Sequence, residues 1–322
     1  LIDEAEVVAL SDPHEQSLKQ CQELLKSEVV CFKNHQDLIK ENLVDVYIIS
    51  SPNFTHNQIL KDVIKTKKHI LIEKPLCTKT KDCLEIEKLT KNYPSVFWIA
   101  MEYRYMPPVS KFIKEIHNKT IGDLKTLTIR EHRFPFLKKV NDWNRFEKNT
   151  GGTLVEKCCH FFDLMRFIVK SEPVSVYASG GQDVNHLDEE YDGKKPDIID
   201  NAYVIVNFEN GSRSMLELCM FAENSEMQEE LTATGNIGKI ETSVPSNDSG
   251  KTTSDVRIGM RDGKTKQESV SVDPKILEAG HHHGSTYYEH LAFLNAVKNK
   301  LKPEVSLNDG LIAVAVGEAA ET

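Results

Sequence analysis

Two side chains have types and surroundings suited to polarising an oxygen and taking its proton. Lys74 ends the run Lys68-His69-Ile70-Leu71-Ile72-Glu73-Lys74-Pro75-Leu76, where an apolar stretch stops at a charge-proline break. Partial desolvation at the end of a buried strand lowers a lysine pKa, and the ammonium can polarise an oxygen. A strand-end lysine pointing into water is the plain alternative. His160 belongs to Gly151-Gly152-Thr153-Leu154-Val155-Glu156-Lys157-Cys158-Cys159-His160-Phe161-Phe162-Asp163, a glycine turn followed by a helical pattern. Glu156 and His160, four apart, would share one helix face. A carboxylate beside an imidazole orients it as a general base for a hydroxyl proton. Thr153 to Glu156 equally matches a capping box, with Thr153 as cap and Glu156 reaching back to a backbone donor. The spacing leaves both roles of Glu156 open.

The elements needed to position these groups are legible. Apolar runs at Ala5 to Asp12, Val29 to Phe32, Asp45 to Ser50, Ile70 to Ile72 and Val96 to Met101 predict strands. Helical patterns at about Thr55 to Lys67 and Thr80 to Lys91 separate them, so the first part is α/β with a Rossmann-type, doubly wound parallel sheet. In such a sheet ligands lie beyond the carboxyl ends of the strands, which is where Glu73 and Lys74 fall. Asp12 closes the position at which an acidic residue accepts the adenine ribose hydroxyls of a dinucleotide. With no Arg among Pro13, His14 and Glu15, NAD is expected over NADP. Asp12 could instead cap the following helix or open a turn with Pro13.

The Gly-rich turn that would precede Asp12 is not in the sequence. A fragment lacking the first, central strand is therefore expected, one that binds NAD weakly and folds marginally by itself. Beyond about residue 103 the pattern becomes alternating or β-branched, at Leu124 to Arg130, Val174 to Ser179, Ala202 to Phe208, Ser212 to Leu218, Glu230 to Thr234, Asp255 to Met260 and Glu268 to Val272. Asn210-Gly211 and Asp262-Gly263 mark hairpins. The expected organisation is a truncated NAD-binding domain over 1–103 and an α+β domain over 104–322 built on a mostly antiparallel open sheet. The acidic stretch His186 to Asp200 reads as a solvated loop, with a substrate lid as the alternative.

Composition narrows the function classes. There are 40 Lys and Arg against 49 Asp and Glu, a formal net charge of −9, which argues against a nucleic-acid partner. No apolar run is long enough to span a bilayer. The seven cysteines, Cys21, Cys31, Cys77, Cys83, Cys158, Cys159 and Cys219, lack CxxC spacing, so neither a disulfide framework nor a zinc site is expected, and a reducing, cytoplasmic setting fits. The adjacent His281, His282 and His283 diverge and have no completing carboxylate or cysteine, so no metal is expected there.

Taken in order, Val7-Val8-Ala9-Leu10-Ser11-Asp12, Ser51-Pro52-Asn53-Phe54-Thr55-His56, Glu73-Lys74-Pro75, Arg104 and the Gly151-Gly152 to His160 segment carry a resemblance. Over nearly its whole length the chain resembles the glucose-fructose oxidoreductase / inositol dehydrogenase (Gfo/Idh/MocA) family. The runs Met101 to Pro108 and Glu156 to His160 look like a subgroup acting on sugars or inositols. The resemblance implies that Asp12 holds the adenine ribose, that Ser51, Pro52, Asn53 and His56 line the cofactor, and that Glu73 and Arg104 stand on the cofactor side. It implies that Lys74, presented by a cis bond to Pro75, binds the reacting hydroxyl and that His160 is the base, with Glu156 where the family usually has Asp. Tyr103, Arg104, His132, Trp143, Arg145 and one of the three histidines, His282, are candidates to touch a polyol; core or surface packing is the alternative for each.

The expected activity is NAD-dependent hydride removal from a secondary hydroxyl of a sugar or cyclic polyol, with a homo-oligomer expected by family analogy. Two rivals share the fold: a regulator that binds dinucleotide without turnover, similar to the yeast galactose repressor, and an NAD-dependent glycosidase.

Overall fold

The computed structural model describes residues 2–25, 28–246, 249–278, 280 and 282–322. His281 therefore lies outside the described residues. The parallel part comprises β1 (Ala9–Ser11), β2 (Val30–Phe32), β3 (Val46–Ile49), β4 (His69–Glu73) and β5 (Phe97–Ala100). Helices Glu15–Leu25, His35–Glu41, His56–Val63 and Thr80–Leu89 connect them. β3, β4 and β5 form one parallel sheet in that order, and β1 pairs with β2 in a separate parallel pair. No described strand joins the two. The strand expected over Ala5 to Asp12 shortens to Ala9–Ser11.

Ile70, Leu71 and Ile72 are fully buried, because a parallel strand covered on both faces must be apolar throughout. The run ends where Pro75 removes a backbone donor, which leaves Glu73 and Lys74 at the carboxyl edge.

The second part is an eight-stranded sheet in the order β13-β12-β11-β10-β6-β9-β8-β7. Its strands are β6 (Leu124–His132), β7 (Pro173–Gly181), β8 (Asn201–Phe208), β9 (Arg213–Cys219), β10 (Met227–Gly235), β11 (Gly238–Pro245), β12 (Thr253–Met260) and β13 (Thr265–Ser271). Every neighbouring pair is antiparallel except β6 with β9. Gly211 and Gly263, at φ 80° and 89°, turn the two expected hairpins. Strand β11 was not anticipated, since the charges at Lys239 and Glu241 mask the alternation of buried Ile240, Thr242 and Val244.

Helix Pro107–His117 packs on β11 and β12, and helix Leu307–Glu321 packs on Cys159–Val169. One hydrophobic cluster runs through both parts, from Ile72 and Trp98 to Leu231 and Val314. The ends of β4 and β5 and the start of helix Cys159–Val169 are thereby held on one core.

Candidate active site

Lys74 follows β4, and its bond to Pro75 is cis, as the resemblance implied. The Lys74 ammonium donates to the backbone oxygen of Glu156 at 2.9 Å, across the junction of the two parts. Burial pulls its pKa down, but Cys159, Glu156, Glu102 and Glu73 more than offset that, so the group lies above the ordinary lysine value. This corrects the expectation of a lowered pKa: Lys74 is a fixed cation ringed by acids. One of its three N–H donors is spent on Glu156, which leaves donors for a ligand oxygen.

His160 is almost fully buried. Burial, and after it Lys74, Lys157, His282 and Arg133, hold its pKa well below the ordinary value, so it is a neutral imidazole at pH 7. Its Nδ1 is buried without a hydrogen-bond partner.

The continuous helix expected to carry both Glu156 and His160 is interrupted. A four-residue helix spans Thr153–Glu156, and a second helix begins at Cys159. The carboxylate found facing the imidazole is Glu102, whose Oε1 lies 3.6 Å from His160 Nε2. Glu102 follows β5, so the strand-end rule that pointed to Glu73 would have found it as well. Burial, and then Glu73, push the Glu102 carboxyl up to about 7 against the pull of Lys74 and Lys157. Glu156 is also pushed up to about 7, chiefly by burial, and its Oε2 is buried without a hydrogen-bond partner.

The capping box is not formed. Gly152, at φ 97°, is the residue before the short helix, and the Thr153 hydroxyl donates to the Ile199 carbonyl at 2.6 Å. The helix start is capped from the far end of the chain, where Glu321 Oε1 accepts from the Leu154 N–H at 2.6 Å. A Cβ on Gly151, at φ 87°, would lie 2.5 Å from the Thr78 carbonyl, so glycine there permits close approach to the loop after Pro75.

Tyr103 lies flat on His160, and its hydroxyl contacts Lys157 Nζ and, at 3.1 Å, His282 Nδ1. Lys157 also pairs with Glu131 at 2.8 Å. Of the polyol candidates, Tyr103 and His282 are thus beside the imidazole.

The loop after β3 carries the cofactor candidates. Ser51 Oγ accepts from the Thr55 hydroxyl at 2.7 Å, and Pro52 precedes a turn at Asn53–Thr55. His56 is fully buried between the Ser51 and Pro75 carbonyls, at 2.9 and 2.8 Å, so its ring ties the two strand-end loops together. Asn53 is buried with Nδ2 lacking a hydrogen-bond partner, a donor available to a polar ligand. Asp12 accepts from the His14 N–H at 2.7 Å, so the turn with Pro13 exists.

Several candidates lie elsewhere or are engaged. Arg104, expected on the cofactor side, is buried and bidentate to Asp163, donates to the Glu304 carbonyl at 2.9 Å and stacks on Phe167. Its donors are spent inside the protein. Arg145 is buried and pairs with Glu189 at 2.8 Å. The 186–200 stretch is anchored at two points, with Glu189 binding Arg145, His186 and Tyr191 and Asp200 accepting from the N–H groups of Asp183, Val184 and Asn185, while most of the residues from Leu187 to Asp197 are exposed to solvent. His132 pairs with Glu217 across β6 and β9. Trp143 packs edge-on against Phe54, next to Asn53.

A Rossmann-type sheet joined to an open, mostly antiparallel sheet has counterparts among known proteins. Residues 2–101 match the family described as "Oxidoreductase family, NAD-binding Rossmann fold", and residues 113–321 match its "C-terminal alpha/beta domain". The chain belongs to the Gfo/Idh/MocA oxidoreductase family. Residues 2–101 form its NAD-binding domain. Over 219 residues the chain is 29% identical to myo-inositol 2-dehydrogenase of Thermotoga maritima, which covers 67% of this chain and 62% of that protein. It is 25% identical over 318 residues to the uncharacterized oxidoreductase YrbE of Bacillus subtilis, covering 98% and 86%. A solved probable dehydrogenase from Thermotoga maritima superposes with a TM-score of 0.77 at 25% identity, over 99% of this chain and 89% of that one. A levoglucosan dehydrogenase in complex with NADH and levoglucosan shares the fold, with a TM-score of 0.81 at 18% identity over 98% and 87%.

Proposed function

We propose that this oxidoreductase takes hydride from a secondary hydroxyl of a sugar or cyclic polyol, with NAD as acceptor. The observation that carries the proposal is the neutral, partnerless Nδ1 of His160 set within the field of the Lys74 ammonium. A base and a fixed cation converging on one place are what oxidation of an alcohol needs.

Bound NAD supplies the carbon that accepts the hydride. The buried, orphaned Asn53 amide and the strand-end Glu73 fit such a group, and Asp12 would hold its ribose. Lys74 donates to the substrate oxygen and stabilises its developing negative charge, while His160 Nδ1 takes the hydroxyl proton. Burial excludes water and strengthens both interactions. The base contributes on the order of 10² to 10⁴-fold, and positioning supplies much of the remainder. Tyr103 and His282 border the substrate, and Trp143 borders the cofactor loop. We further assign association with a second copy through the outer sheet face, where Tyr177, Tyr203 and Ile205 are exposed, and a cytoplasmic setting for the free thiols.

The test is incubation of the protein with NAD and a panel of inositols, hexoses and nitrophenyl glycosides. NADH from an inositol or hexose is the expected outcome. Nitrophenol without net NADH would establish the glycosidase instead, and NAD binding with neither product would establish a regulator.

A further inference from the structure

We propose that Glu102, delivered by the turn after β5, is the carboxylate that orients His160 and receives the proton His160 takes from the substrate. This rests on the dehydrogenase function proposed above and goes beyond it by replacing the expected partner, Glu156.

Glu102 Oε1 faces His160 Nε2 at 3.6 Å, slightly beyond hydrogen-bond length, as is common before a catalytic complex tightens. A carboxylate facing Nε2 favours the tautomer that carries its proton there, which leaves the Nδ1 lone pair directed away. The ring is clamped against Tyr103, with centroids 4.1 Å apart and planes 4° apart, so the two nitrogens cannot readily exchange places. Glu102 Oε2 is buried with no hydrogen-bond partner, so the carboxyl can accept a proton at either oxygen.

Glu156 is placed differently. It ends the short helix before the helix break, its backbone oxygen accepts from Lys74, and its carboxylate acts on the Lys74 ammonium. The groups acting on Glu102 come from every side: Glu73 and Lys74 from the end of β4, Lys157 and His160 from the helix break, and Glu289 from helix Ser285–Asn299. With its carboxyl near 7, Glu102 can both accept and release a proton at neutral pH.

The proton balance closes. The substrate O–H proton moves to His160 Nδ1, the Nε2 proton moves to Glu102, and the C–H electron pair leaves as hydride to NAD while a carbonyl forms. The cycle closes when Nδ1 releases its proton to water and Glu102 returns its proton to Nε2.

The proposal is tested with ¹⁵N-histidine-labelled protein bearing E102Q, E102D or E156Q. In the parent, His160 should show Nε2 protonated and Nδ1 free. E102Q should mix the tautomers and move the His160 titration, E102D should restore most of the parent pattern, and E156Q should leave it unchanged. In turnover, E102Q should reduce kcat about 10 to 100-fold, as loss of a histidine's orienting partner does. It should also remove the kcat/KM limb near neutrality. Parent-like His160 signals and an unchanged limb in E102Q would overturn the proposal, as would a tautomer shift confined to E156Q. The labelled-histidine result needs no substrate, so an absence of NADH from every alcohol would count against the dehydrogenase function alone.

Discussion

The ring of Tyr103 lies face to face with the imidazole of His160, centroids 4.1 Å apart, while its hydroxyl meets Lys157 Nζ. One side chain thus supports the imidazole from below and anchors a buried ammonium. Lys157 has Glu131 as its counter-ion, and burial still pulls its pKa below the ordinary lysine value.

Y103F separates these two functions. It keeps the stacked ring and removes the hydroxyl, leaving a buried N–H of Lys157 without its acceptor, which costs about 1–3 kcal/mol. Urea denaturation should register that loss while kcat falls little. Y103L, which also removes the stack, should depress kcat much further. Equal kcat in the two variants would show that the stack does not hold the base.

Lys74 provides the second prediction. Because its pKa is raised, it stays charged across the whole neutral range, so no neutral limb of a pH–rate profile belongs to it. K74M removes the cation and should lower kcat about 10² to 10³-fold, the effect of losing one preorganised donor at a developing oxyanion. NAD affinity, measured by calorimetry, should change far less. A K74M enzyme with parental kcat would exclude Lys74 from the chemical step.

The backbone organisation was legible because local pattern decides it. An all-apolar run closed by Lys74-Pro75 can only be a buried strand that stops, and Asn210-Gly211 can scarcely avoid a hairpin. The pairing of charges was not legible, because distant contacts decide it. Helical spacing matched His160 with Glu156, yet the helix breaks between them and Glu102 arrives from another strand end. The Thr153 to Glu156 pattern fitted a cap, but Glu321 took that place from across the fold. Arg104 looked available in sequence because nothing local showed that Asp163, on the helix of His160, would claim it.

Arg104 therefore yields a structural prediction where the sequence suggested a binding one. Its bidentate pair with Asp163 is buried, so R104M leaves an uncompensated carboxylate and should cost about 3–5 kcal/mol. The double variant R104M/D163L, which removes both charges, should recover much of that stability. NAD affinity of whatever folds should match the parent. A selective loss of NAD binding with unchanged denaturation would return Arg104 to the cofactor.

The buried acids contribute one part of how stability varies with pH. Glu156 and Glu321 are both raised from 4.5 to about 7, chiefly by burial. Below about pH 4.5 they are protonated in folded and unfolded chains alike, and their contribution is fully present. Between there and about 7 the folded chain holds protons that the unfolded chain has released, so stability falls as pH rises, at up to roughly 1.4 kcal/mol per unit for each group. Above about 7 the loss is complete and the curve levels. Glu189, held near 2 with hydrogen bonds from Tyr191, His186 and Arg145 outweighing its burial, acts only on the acid side of this window, where its stabilisation is lost as pH falls. Buried histidines held low, His56 and His160 among them, act in the opposite sense over the same window, so the carboxyl effect is read by difference: the urea midpoint of E156Q or E321Q, taken relative to the parent at each pH, should climb between about pH 5 and about pH 8. In E321Q the amide oxygen can still accept from the Leu154 N–H, so that variant isolates the charge from the cap. A difference from the parent that stays flat across that range would show that these carboxyls are ionised in the folded protein throughout.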